Sequence, residues 1–176
     1  WCEDFGQNIR IEGPDKVFVK DSTVIAARLS GANLAAVDWN QPITLDRLPK
    51  VEKIEIDYPV LKFPWNLVQQ NPKEIAREFK ILGRPGELEG KIYEGVHRLG
   101  KENVYVAPGA KVTPGVVIDA EEGPVFIDKG AKIFPNATIE GPTYVGKKSA
   151  VKIGAKIYEG TSIGPVCKVG GEVEES

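Results

Sequence analysis

The groups in this chain that could do chemistry are few, and their numbers are restrictive. One histidine, His97, is present, so a site built from several imidazoles is excluded. The cysteines Cys2 and Cys167 lie far apart and form no paired metal or redox spacing. They read as thiols of a reducing compartment. Lys147 and Lys148 follow Gly146 at an expected turn. They are candidates for binding a phosphate, weighed against an ordinary solvated loop. Gly83-Arg84-Pro85-Gly86 lacks the preceding strand and following helix that a phosphate-cradling loop needs, and reads as a turn. Asn136-Ala137-Thr138 matches a glycosylation sequon, but with no leader segment it reads as a corner turn. No catalytic residue and no metal site can be named on these grounds.

The composition narrows the class. Over 176 residues, 23 Lys and Arg face 25 Asp and Glu, a net charge of −2, which argues against a general nucleic-acid-binding surface but leaves room for a local basic patch. Hydrophobic residues make up 41%, enough for a core. No apolar run approaches the roughly 18 residues of a membrane span, so the expected location is cytoplasmic, with no membrane partner. The 19 Gly and 13 Pro require many turns. A chain opening at Trp1 reads as a piece of something longer.

Three zones must position these residues. In residues 1–58, Lys16–Lys20 and Val51–Ile56 alternate polar and apolar with period two, and Thr23–Ala27 is a third short run. This zone reads as a strand layer left over from an N-terminal α/β domain. Residues 59–102 read as a linker holding one amphipathic helix, about 72–82. Asn71 is its expected N-cap, Pro72 its first residue, and Gly83 with Pro85 its stop. Ile75, Phe79 and Leu82 fall on one face. Trp65 is expected to be buried, with a ligand role as the sharper alternative.

The third zone, 103–176, is periodic. Val106, Val112 and Ile118 are six apart, and a three-residue insertion within Glu121-Glu122-Gly123 shifts the count. The step then resumes at Ile127, Ile133, Ile139, Val145, Val151, Ile157, Ile163 and Val169. Two residues before these positions stand mostly small side chains, Ala110, Ala131, Ala137, Thr143, Ser149, Ala155, Thr161 and Cys167. Three residues after them come Gly109, Gly115, Gly130, Asn136, Gly154 and Gly160, types that tolerate positive φ. Each hexad is thus a short strand and a tight turn, with the aliphatic and small residues pointing inward. Three hexads close one triangular coil, and coils stack as parallel strands. Residues 18 apart then superpose, giving an outward column Phe126, Tyr144, Ser162 and another Lys132, Ala150, Lys168. The aromatic column is expected to meet the helix or a neighbouring subunit. The lysine column is a polyanion contact or, more simply, a solvated face.

This pattern resembles the hexapeptide-repeat, left-handed parallel β-helix family. The resemblance supplies the handedness, against the usual right-handed crossover rule. It implies a mainly β fold, preceded by short strands and one linker helix. The γ-class carbonic anhydrases of this fold need three histidines, so they are excluded. Glu159-Gly160-Thr161-Ser162-Ile163-Gly164-Pro165 with Val166–Glu174 is similar to the C-terminal half of sugar-1-phosphate nucleotidyltransferases. These are relatives of the bifunctional UDP-N-acetylglucosamine pyrophosphorylase/glucosamine-1-phosphate acetyltransferase. Phe63–Asn71 resembles the segment that joins their two halves. The resemblance implies a fragment of an enzyme of sugar-nucleotide synthesis, with a β-helix cut short at its C-terminal end. That β-helix would serve trimerisation and acyl transfer. It also implies a homotrimer, a sugar phosphate or nucleotide sugar as ligand, acetyl-CoA for acyl transfer, and Mg2+ for nucleotidyl transfer. The chain's own residues support neither cofactor. Lys168, Glu172 and Glu174 match the sugar-binding approach of the acetyltransferase relatives. A non-catalytic trimeric scaffold and a stand-alone acetyl-CoA-dependent acyltransferase are the alternatives.

Overall fold

The computed structural model describes residue 9, residues 12–82 and residues 84–176. Trp1, Cys2 and Gly83 lie outside the described residues. Two compact units are present, Trp1–Val60 and Leu61–Ser176.

In the first unit, β1 (Lys16–Lys20) and β2 (Thr23–Arg28) form an antiparallel hairpin. The chain reverses through Asp21 and Ser22, both at positive φ (47° and 68°), as a tight hairpin turn requires. The short helix α1 (Gly31–Ala35) follows. Then β3 (Glu52–Glu55) pairs parallel to β1, giving the order β2-β1-β3. Val17 and Val19 point to one side of β1 and pack with Val37 and Leu48, as the period-two pattern predicts.

The second unit opens with α2 (Trp65–Leu82), two turns longer than the spacing predicts. Pro72 is therefore inside the helix and Asn71 is not its cap. Pro72 cannot donate to the Val68 carbonyl, a defect that ordinarily disfavours the helix interior. Tertiary bonds offset it. Asn71 Nδ2 donates to the carbonyls of Gly160 (2.6 Å) and Ser176 (3.1 Å), and Asn71 Oδ1 accepts from Ser162 Oγ (2.9 Å). The polar side chain that looks like a cap bolts the helix to the last full coil. Trp65 is 57% exposed, against the expectation of burial. Its ring stacks on Phe63 with centroids 4.6 Å apart, a local contact that leaves one face to solvent.

The coils follow. The first holds β4 (Lys91–Ile92), β5 (His97–Leu99) and β6 (Val104–Val106); the second β7 (Lys111–Val112), β8 (Val117–Asp119) and β9 (Val125–Ile127). The third holds β10 (Lys132–Ile133), β11 (Thr138–Glu140) and β12 (Thr143–Val145); the fourth β13 (Ala150–Val151), β14 (Lys156–Ile157) and β15 (Thr161–Ile163). Two strands, β16 (Lys168–Val169) and β17 (Glu172–Val173), begin a fifth. All pair in parallel on three faces: β4-β7-β10-β13-β16, β5-β8-β11-β14-β17 and β6-β9-β12-β15. The fold is a mainly β, parallel β-solenoid of about four turns, as the six-residue step predicts.

The core is the predicted aliphatic ladder. Val112, Ile118, Ile127, Ile133, Ile139, Val145 and Val151 are each fully buried, with Ala110, Ala131 and Ala137 in the narrow corners. Every predicted corner residue has positive φ, and Lys148 (59°) and Val166 (60°) occupy the same position of their hexads without being glycine or asparagine. The coils begin earlier than residue 103, because β4 and β5 pair with β7 and β8. Their register hides the repeat. Leu88 sits opposite Val106 and Ile92 opposite Val112, so one corner is two residues short. The same shortening recurs at the far end, where Ile157 meets Val173.

Candidate functional site

The second unit gathers reactive and charged side chains in three places. The first is a groove between α2 and the third face. Tyr105, Phe126 and Tyr144 project outward from β6, β9 and β12 and stack at centroid distances of 4.8 and 5.6 Å. Phe79 of α2 meets Phe126 edge-on at 6.4 Å, the preferred geometry for aromatic quadrupoles. The aromatic column therefore packs against the amphipathic helix, as expected. Ile75, Glu78, Leu82 and Asp128 complete a groove of about 210 Å³.

The polar end of this groove is one bond. Tyr144 OH donates to Asp128 Oδ2 at 2.8 Å. Partial burial, reinforced by that bond and by the negative charge of Asp128, pushes the Tyr144 phenol up to about 12. Tyr144 is a neutral donor at ordinary pH and no base. The groove is smaller than the ~300–1,000 Å³ of small-molecule pockets, so it does not enclose a nucleotide sugar or acetyl-CoA.

The second place is the corner between the second and third faces. Asp119, Glu121, Glu122, Glu140 and Glu159 rim a cavity of about 420 Å³ around the Glu121-Glu122-Gly123 insertion. A wall of one negative sign repels phosphate-bearing ligands. Among the described residues, no group of three or more His, Cys, Asp or Glu is arranged to hold a metal ion.

The third place is the first face with the corner that leads into it. Lys147 and Lys148 sit together at that corner, exposed, with Lys129 one coil earlier accepting on its carbonyl from Lys148 N (3.0 Å). Lys168 lies on the first face, in β16. Glu172 lies on the second face, where it pairs with Lys156 at 2.6 Å. The hydrogen bond to Lys156 holds the Glu172 carboxyl below its ordinary value and raises Lys156. Glu174 follows β17, exposed. Lys168, Glu172 and Glu174 thus do not converge on one pocket within the chain, whereas Lys147 and Lys148 do share a corner. His97 is exposed on β5, at the outer edge of the coil stack.

The six-residue pattern missed two kinds of residue here. Lys91 and Lys111 stand in register with Lys132 and Lys168, but short and long corners displace them from the 18-residue repeat. The Tyr144–Asp128 bond runs diagonally between neighbouring coils of the third face, from β12 to the residue that follows β9, a polar contact that the aliphatic period does not report.

No helix among the described residues is long and apolar enough to cross a membrane. No protein-family model matches the chain, and no curated protein matches it. Two solved structures align along most of its length. One is a mutant of perosamine N-acetyltransferase from Caulobacter crescentus in complex with CoA and GDP-perosamine. It is 14% identical, covers 92% of this chain and 90% of its own, and has a TM-score of 0.30. The other is the acetyltransferase domain of PglB from Neisseria gonorrhoeae FA1090, 14% identical, covering 90% of this chain and 92% of its own, with a TM-score of 0.27. At these values the β-solenoid rests on the strand pairing of the chain itself.

Proposed function

We propose that the chain is the β-helical part of an acyltransferase-type enzyme acting on a sugar nucleotide or sugar phosphate. The observation that carries the reading is the stack of hexad coils ending in Glu159–Glu174, the stretch that resembles the sugar-nucleotide enzymes. Nucleotidyl transfer by the parent protein is the finer form of the proposal and rests on that resemblance alone.

The prism interior is filled by aliphatic side chains, and the groove beside α2 is too small to enclose acetyl-CoA. No step is therefore assigned to the cofactor within one chain. The reading instead puts the substrate between neighbouring prisms of a trimer, where outward residues of two copies face each other. Lys168, Glu172 and Glu174 are the substrate contacts it proposes, and Lys147 and Lys148 the phosphate contacts. A cation near a phosphate and a carboxylate near a sugar amine or hydroxyl supply charge where acyl transfer needs it.

The test is thiol release from acetyl-CoA in the presence of amino-sugar nucleotides, with the mass of the protein in solution measured alongside. Transfer that is lost on Lys168→Ala, in a trimer that stays assembled, supports the reading. A protein monodisperse as a monomer would remove the between-copy site. The exposed, solitary His97 favours a second reading, a non-catalytic scaffold. Calorimetry showing no binding of acetyl-CoA or sugar phosphate would select it.

A further inference from the structure

The first face of the solenoid carries a ladder of lysines. The outward residues of β4, β7, β10, β13 and β16 pair in register as Lys91, Lys111, Lys132, Ala150 and Lys168. Neighbouring parallel strands lie about 4.8 Å apart, so the ladder is a straight row of cations with one gap at Ala150. Lys152 extends the face, and Lys129, Lys147 and Lys148 line the corner that opens onto it. Among the described residues, none of these eight side chains bearing a charge forms an ion pair. Neither Glu89 nor Asp128, the carboxylates flanking the face at its third-face corner, forms an ion pair with these lysines. Glu89 accepts from Tyr105 OH and bonds Arg84, and Asp128 accepts from Tyr144 OH.

This arrangement has a cost in the isolated molecule. Like charges directly opposite on neighbouring strands repel, and the chain as a whole carries a slight negative charge. Five acids, Asp119, Glu121, Glu122, Glu140 and Glu159, are gathered at the corner between the other two faces. An occupant of opposite charge offsets the repulsion, so the geometry points to a linear polyanion lying along the strand-stacking direction.

The chemistry of the face selects which polyanion. It holds no arginine, so no planar fork reads bases or binds phosphate bidentately. Lys91 already covers the Tyr93 ring at 4.5 Å. Phe134 is the remaining aromatic on the face, and a single ring makes no stacking platform for successive bases. Side-chain amides and carboxylates that bind sugar hydroxyls are missing from its outward positions, and Thr113 Oγ1 already donates to the Ile133 carbonyl at 2.7 Å. What remains is a row of flexible point charges. We infer that this face binds linear inorganic polyphosphate, a chain that presents charge at short regular intervals and no other feature.

The test is calorimetric titration of the full chain with inorganic polyphosphate at several salt concentrations. Affinity is expected to fall linearly with the logarithm of salt. The triple variant Lys111→Gln, Lys132→Gln, Lys168→Gln should lose about tenfold or more in affinity at low salt and about two units of salt slope. Ala150→Lys, which closes the gap in the row, should bind more tightly than the parent chain. All four positions are on the outer surface, and melting curves check that each variant stays folded. Unchanged binding by the triple variant would overturn the inference. So would a thymidine homopolymer or polygalacturonate of matched charge that binds as tightly and responds to the same substitutions. In that outcome the face belongs to a nucleic acid or a glycan.

Discussion

At the scale of single residues, the inward small position of the hexad shows how a hydroxyl is tolerated in an aliphatic prism. Thr143 is fully buried, and its Oγ1 donates to the Glu140 carbonyl at 2.5 Å. Ser149 is fully buried as well, and its Oγ donates to the Gly164 carbonyl at 2.6 Å and accepts from Cys167 N at 2.9 Å. Thr161 holds the same column position, is 1% exposed, and its Oγ1 has no partner. A bonded buried hydroxyl contributes about 1 kcal/mol, while an unbonded one costs. Thr143→Val should therefore destabilise by about 1 kcal/mol in urea unfolding, whereas Thr161→Val should be neutral or stabilising. Equal losses at both sites would mean that Thr161 finds an acceptor in solution. Tyr144 gives a second test at this scale. Its folded-state phenol is raised to about 12 from an ordinary value near 10. The protonated form is the one the fold favours, so this stabilisation is complete below pH 10 and is lost as pH rises from 10 to 12. Denaturant midpoints at pH 9 and pH 11 should diverge in the parent chain and diverge less in Tyr144→Phe, the remainder coming from other raised groups such as Tyr105, held up by its bond to Glu89. The same substitution should lower stability at pH 9, where the bond to Asp128 is intact.

At the scale of elements, α2 marks where sequence reading succeeds and where it stops. Of the expected face, Ile75 and Phe79 are buried against the coils, whereas Leu82 at the helix end is 71% exposed. The start was not legible, because Asn71-Pro72 is locally an ideal opening and the bonds that override it come from residues about 90 and 105 positions away. The strands were legible for a related reason. Each hexad carries its own inward, outward and corner residues, so a local pattern encodes a contact one coil distant. That encoding fails where corners change length, so the six-residue step does not reach β4 and β5 and captures only Lys132, Ala150 and Lys168 of the lysine ladder. Candidate site residues on different faces, such as Lys168 and Glu172, look close in sequence because a corner is short. The role of Asn71 predicts that Asn71→Ala leaves residues 73–82 docked through Ile75 and Phe79 but frees the first two turns of α2. Amide exchange at 65–71 should accelerate by about tenfold or more, given the loss of bonds each contributing about 1 kcal/mol, with little change at 75–82. Uniform acceleration along the helix would mean that Asn71 is no separate anchor.

At the scale of the whole chain, two cores of different kind stand side by side in the sequence. The first unit buries Val17, Val19, Val37 and Leu48 as one small cluster among its described residues, a core on the scale of domains that are only marginally stable alone. The second buries one continuous ladder from Val104 to Ile163. In a solenoid each coil is stabilised only by its neighbours, so stability is close to a sum of coil terms and contact terms between successive coils. Middle coils have two neighbours and end coils one. Burial follows that rule, since Ile133 and Ile139 are fully buried while Val169 and Val173 are only partly so. Amide exchange under rising denaturant should then release three groups in order. Residues 16–55 should open first, β16 and β17 next, and β9 to β12 last. A substitution should follow the same gradient: Ile133→Ala should cost about 2–5 kcal/mol in the final transition, and Val169→Ala well under half of that, mainly in the second. Simultaneous release of all three groups would show that the chain unfolds as one cooperative body, with the coil ends held by contacts beyond those of neighbouring strands.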